Sequence, residues 1–140
     1  MANALFNPGR EGFLAGEIDW DTATIKVSLV RGYTFAASHK FVSDVTATGT
    51  LAATATLASK TVTDGVADAA DVTFTAVASS ASNHSLLIYQ ASAVGGGADV
   101  AATAQRLIAW IDTGTNLPIT TNGGDVAAAW DNGANKIFKL

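Results

Sequence analysis

The sequence predicts an all-β domain, an antiparallel β-sandwich or jellyroll with one short N-terminal helix. Three observations predict it. Residues 24–31 alternate cleanly, with Ile25, Val27 and Leu29 on one face. Two later segments, Ser85 to Tyr89 and Leu107 to Ile111, are apolar on both faces, as strands in the middle of a packed sheet are. Turn signals separate many short β-like runs, and candidate helices are too few for a parallel α/β fold.

The chain has 140 residues, close to the commonest domain size of roughly 100–150. One sandwich domain over 1–140 is therefore expected, with residues 1–16 forming an N-terminal arm and the short helix. In that helix Asn7 is the expected N-cap and Pro8 fits the first turn. Phe13 and Leu14 are its expected anchors, Gly12 weakens it, and Gly16 stops it.

The remaining elements follow in order. Phe41 to Val45 reads as a helical turn or a strand corner, and residues 46–59 give no firm assignment. Lys60 to Thr63 precedes Asp64-Gly65, a hairpin or loop signal. Residues 72–77 alternate again. Gly95 to Asp99 reads as a flexible loop. Asn132-Gly133 reads as a hairpin turn before Lys136 to Leu140, whose core-type side chains pin the C-terminus into the sheet. The expected core includes Ile25, Val27, Leu29, Phe74, Leu86, Ile88, Leu107, Ile111 and Ile137.

Composition narrows the function. Charged residues make up 14% of the chain and the net charge is −4. A surface with few charges repels itself weakly and loses little solvation when a partner covers it. The eight Lys and Arg residues are scattered in sequence, so no basic stripe displaces counterions and no nucleic-acid partner is expected. With no cysteine, disulfides and thiolate zinc sites are excluded, and assembly in a reducing cytoplasm is natural. No signal peptide and no membrane span are expected.

No motif carries chemistry. His39 and His84 each adjoin a serine, but no G-x-S-x-G elbow surrounds either. A surface or strand-end position is expected for both. Two histidines cannot make an H-E-x-x-H zinc helix without that spacing. Asp19, Asp21, Asp64, Asp68 and Asp71 offer oxygen chemistry suited to calcium, yet their spacing lacks the calcium-loop pattern and its closing Glu. They read as turn formers. Gly95-Gly96-Gly97 is followed by no Lys-Ser or Lys-Thr, so it is no phosphate cradle. The expectation is a protein that is not an enzyme and holds no cofactor or metal.

Both ends of the chain carry a resemblance. The opening runs Asn7-Pro8-Gly9-Arg10-Glu11-Gly12-Phe13-Leu14-Ala15-Gly16-Glu17-Ile18-Asp19-Trp20 into Ile25 to Val30. The closing runs Leu117-Pro118-Ile119-Thr120, Asn122-Gly123-Gly124-Asp125, then Trp130 to Leu140. With Lys60 to Asp68 between them, these segments resemble the capsid cement, or decoration, proteins of tailed bacteriophages, in particular those of jellyroll type. The resemblance is weakest over 46–59 and 91–104. It implies a virion protein, assembled in the host cytoplasm, that binds the outside of the major capsid shell and bridges capsomers. It implies the major capsid protein as partner. A homo-oligomer is also expected, a dimer before a trimer, because an isologous two-fold is the commonest closed contact.

Leu5, Phe6, Arg10, Phe13 and Trp20 are the candidate contact residues, with Leu5 and Phe6 on a flexible segment that reaches the shell. Deleting residues 1–6 is expected to weaken attachment and spare the sandwich. Two alternatives stand beside this reading. One is another virion component at the neck or tail. The other is a surface carbohydrate- or receptor-binding module, with Trp20 between Asp19 and Asp21 as its aromatic platform.

Overall fold

The structure is a computed structural model that describes residues 3–114 and 117–140. In chain order its elements are β1 (Ala4–Leu5), α1 (Asn7–Ala15), β2 (Ile25–Arg31), α2 (Val42–Thr46), β3 (Thr50–Thr56), β4 (Thr61–Thr63), β5 (Val66–Asp68), β6 (Val72–Phe74), β7 (Ser80–Gln90), β8 (Ser92–Ala93), β9 (Gly96–Asp99), β10 (Arg106–Ile111), β11 (Ile119–Thr121), β12 (Val126–Ala128) and β13 (Phe138–Lys139). It is a mostly β, antiparallel sandwich with two short helices. The sequence predicts one helix. The second, α2, resolves the ambiguity at Phe41 to Val45: Asp44 reaches back to accept the backbone N–H groups of Lys40 and Phe41, both at 2.9 Å. Those two donors would otherwise be left open at the start of a helix.

The main sheet runs β1-β10-β7-β2-β3, with β11 pairing the first half of β7. Its middle strands have the two-sided apolar pattern for a physical reason, since both faces are covered. Ile25, Val27, Leu29, Leu86, Ile88 and Ile111 pack on one face beneath Ala67, Phe74, Val126 and Phe138 from the small sheets β4-β5-β13 and β6-β12. Val30, Leu87, Tyr89, Leu107 and Trp110 pack on the other, against Phe6, Val42 and Val45. Eight of the nine expected core residues are buried; Ile137 is only partly so, and its neighbour Phe138 takes the interior place.

One hairpin turn falls where the sequence puts it. Asp64 and Gly65 join β4 to β5, with Thr63 opposite Val66. Both take positive φ, 53° and 77°, the pair of left-handed residues that matches a two-residue hairpin to strand twist. Other readings need correction. Gly95 to Asp99 is not a loop throughout: β8 and β9 form a small hairpin there. Asn132-Gly133 does not join a hairpin, because β12 pairs with β6 and β13 with β5. The C-terminus is pinned, with the Leu140 N–H donating to the Gly65 carbonyl at 3.0 Å.

The N-terminal segment departs furthest from expectation. Residues 1–2 of the expected arm lie outside the described residues. Ala4 and Leu5 pair with Trp110 and Ala109, extending the main sheet. Phe6, not Asn7, precedes the helix as its cap. The Phe6 ring is fully buried against Phe35, with centroids 4.9 Å apart. Its N–H donates to the Ile108 carbonyl at 3.0 Å. Gly9 then lets α1 lie directly on β10: a Cβ there would sit 2.7 Å from the Leu107 carbonyl oxygen, closer than packed atoms allow. Leu14 is no anchor, being 90% exposed. The anchoring charge is Arg106 on β10, which is buried and donates to the Pro8 carbonyl at 2.7 Å and to the Glu17 carboxylate.

Candidate contact surface

The expected contact residues separate into three environments. Phe6 closes the core, as described. Leu5 and Arg10 line a groove of about 390 Å³ beside the C-terminal segment, with Asn3, Asp131, Asn135, Lys136 and Lys139 supplying most of its polar groups. Phe13 and Trp20 meet at a second groove, of about 230 Å³, whose other walls include Ile18, Val62, Phe138 and Leu140. Phe138 lines both, so β13 separates the two grooves on one side of the molecule.

The first groove is cationic. Arg10, Lys136 and Lys139 face it with Asp131 as the opposing charge. Three of the eight cations of a chain with net charge −4 thus converge, although they are far apart in sequence. Arg10 and Lys139 are exposed. Exposed like charges at one groove raise the local potential and favour an acidic visitor.

The second groove is apolar. Phe13 is half-buried and packs on Phe138 at 5.7 Å, and Trp20 meets the same ring edge-on at 5.2 Å. Trp20 itself is buried, its indole N–H donating to the Asp68 carbonyl at 3.3 Å. It is therefore part of the groove's floor and does not stand out as an aromatic platform. Val62 and Leu140 remain 58% and 59% exposed. Asp19 and Asp21 also line this groove. The Asp19 carboxylate accepts the backbone N–H groups of Asp21 and Thr22 at 2.9 and 3.1 Å. The bond from Thr22 above all holds its pKa below the usual carboxylate range. Lys60 lies near both carboxylates; burial lowers its pKa while Asp21 and Asp19 oppose that shift.

The candidate reacting groups do not gather. His84 is fully buried rather than at the surface, its Nδ1 within 2.9 Å of the Ser82 carbonyl and 3.1 Å of that of Ile119. His39 is half-buried, with its Nδ1 2.9 Å from the Tyr33 hydroxyl. The aspartates serve the backbone: Asp68 accepts from the Ala69 N–H and Asp71 from the Trp130 N–H, both at 2.9 Å. Among the described residues no three metal-ligating side chains come together. A further cavity, about 540 Å³ between the main sheet and β12, has among the described residues Asp131 and Lys136 as the titratable side chains in its lining.

Sequence reasoning missed Arg106 as the tie between α1 and the sheet, and missed Lys136 and Lys139 as partners of Arg10. No local signal marks either, since Arg106 depends on α1 packing on β10 and Lys136 and Lys139 on the C-terminal segment meeting the N-terminal one. Compared with family models, curated proteins and solved structures, the chain matches none of them.

Proposed function

We propose that this chain is a structural capsid cement protein of a tailed phage, with no catalytic role. It binds the outside of the major capsid shell and bridges capsomers. One observation carries the reading. The two chain ends that bear the resemblance meet in the cationic groove, Leu5 and Arg10 from the opening and Asp131, Asn135, Lys136 and Lys139 from the closing. The partner that suits this groove is an acidic segment of the capsid protein. Each such contact is weak alone, and repetition over a symmetric shell adds them as avidity.

The test is decoration of purified shells that lack the protein. Wild-type chain should bind, more weakly as salt rises, because exposed charges are screened over about 10 Å at 0.1 M. Lys136→Glu with Lys139→Glu should lose binding at least tenfold, roughly the effect of 1.4 kcal/mol, without a lower melting temperature. Decorated shells should also burst at higher temperature than bare ones. Wild-type chain with no affinity for shells would end the proposal.

A further inference from the structure

The chain holds two Asn-Gly pairs, Asn122-Gly123 and Asn132-Gly133. An asparagine before a glycine can react with its own backbone. The nitrogen of the next residue attacks the side-chain amide carbon, and glycine has no side chain to obstruct it. Both pairs are exposed, so water reaches each. Their surroundings differ.

At Asn122 the attacked carbonyl is polarised and the attacking nitrogen is free. The Gly124 N–H donates to Asn122 Oδ1 at 2.9 Å. Attack turns this oxygen into an oxyanion, and a donor already aimed at it favours that charge. Among the described residues the Gly123 N–H meets no acceptor. Nothing lies within 4 Å of where a Gly123 Cβ would be. The far end of the turn is held, which keeps the donor in place. The Gly124 carbonyl accepts the Val77 N–H at 3.0 Å, and the Asp125 carboxylate accepts the Ala76 N–H at 2.8 Å.

At Asn132 the arrangement is reversed. The Gly133 N–H, the group that would attack, donates to Asp131 Oδ1 at 3.0 Å. The other oxygen of that carboxylate would lie 2.9 Å from a Gly133 Cβ. A carboxylate against this glycine opposes the negative charge that gathers on the nitrogen as its proton leaves. Among the described residues no donor reaches the Asn132 side-chain oxygen.

We infer that Asn122 is a self-modifying residue and that Asn132, in the same dipeptide, is protected. The Gly123 nitrogen forms a bond to Asn122 Cγ and gives up its proton. The bond from Cγ to the amide nitrogen breaks, and ammonia leaves with that proton. The product is a five-membered imide. Water opens it at either carbonyl, leaving aspartate or isoaspartate at position 122 and one further negative charge. The inference stands apart from shell binding.

Peptide mapping by mass spectrometry tests it, on the full-length folded chain aged in mildly alkaline heavy-oxygen water. Each conversion then carries a heavy oxygen from the ring opening. Position 122 should convert at least about tenfold faster than position 132, a modest share of the roughly 10²–10³-fold that a well-placed donor gives an enzyme. The same chain aged in urea loses both turns, and there the two rates should converge. Asp131→Ala should speed conversion at position 132 in the folded chain and leave position 122 as it was. Equal rates in the folded chain, a faster position 132, a ratio unchanged by urea, or a position 132 unmoved by Asp131→Ala would overturn the inference.

Discussion

The middle of the main sheet and the face around β13 use the same kinds of side chain to opposite ends. In β7 and β10 every residue from His84 to Gln90 and from Arg106 to Ile111 is buried. Leu87 and Ile88 face opposite ways and both are covered. Around β13, a strand of two residues, the cover is incomplete. Phe138 is buried, yet Leu140 and Val62 are more than half exposed. Apolar area already removed from water stabilises the fold. Apolar area still in water is available to a partner. Stability therefore rests on the first region, and the contact proposed above falls to the second.

Phe6 gives the largest expected effect, because it belongs to the end of the chain by position and to the core by packing. Phe6→Ala should cost about 3–5 kcal/mol, the usual range for a buried aromatic, read by urea unfolding. Deleting residues 1–6 should destabilise the fold for the same reason, in contrast to the expectation drawn from sequence. A loss below about 0.5 kcal/mol would return the segment to the periphery.

A smaller effect is expected at Asp44. Asp44→Ala removes the acceptor for two N–H groups at the start of α2 and should cost about 0.5–2 kcal/mol. Those same bonds, Phe41 first, hold the Asp44 pKa below its ordinary value. A carboxyl lowered in the folded state adds stability above its unfolded pKa and loses it as pH falls through the folded one. The gap between wild type and variant should thus be full at neutral pH and close as pH drops below about 4. A gap that widens in acid would contradict this assignment.

Val62 gives the smallest effect. Val62→Thr should change the unfolding free energy of the monomer by no more than about 0.5 kcal/mol, as surface substitutions do. A cost near that of a core residue would show that the apolar groove belongs to the fold's own interior.

How much of this was legible in the sequence follows the range of the interactions. The alternation of β2, the apolar runs of β7 and β10 and the Asp64-Gly65 turn are local patterns, and each appears where the residues place it. Strand β3 was not legible, because Thr and Ala carry little preference and its pairing with β2 decides its state. Asn132-Gly133 looked like a hairpin turn, but β6 and β5 outcompete each flanking segment for the other. Phe13 and Trp20, candidate contact residues by sequence, line one groove. Phe6 was misplaced because its burial depends on β1 pairing with β10, over 100 residues away. Lys136 and Lys139 escaped for the same reason.

The most direct test of the division between core and contact face is amide hydrogen exchange on the free protein and on the protein bound to shells. Binding should add protection at residues 3–16 and 136–140, with backbone amides of β7 and β10 already protected in the free chain and unchanged. New protection confined to other surfaces, or rapid exchange through β7 and β10 in the free protein, would contradict the account.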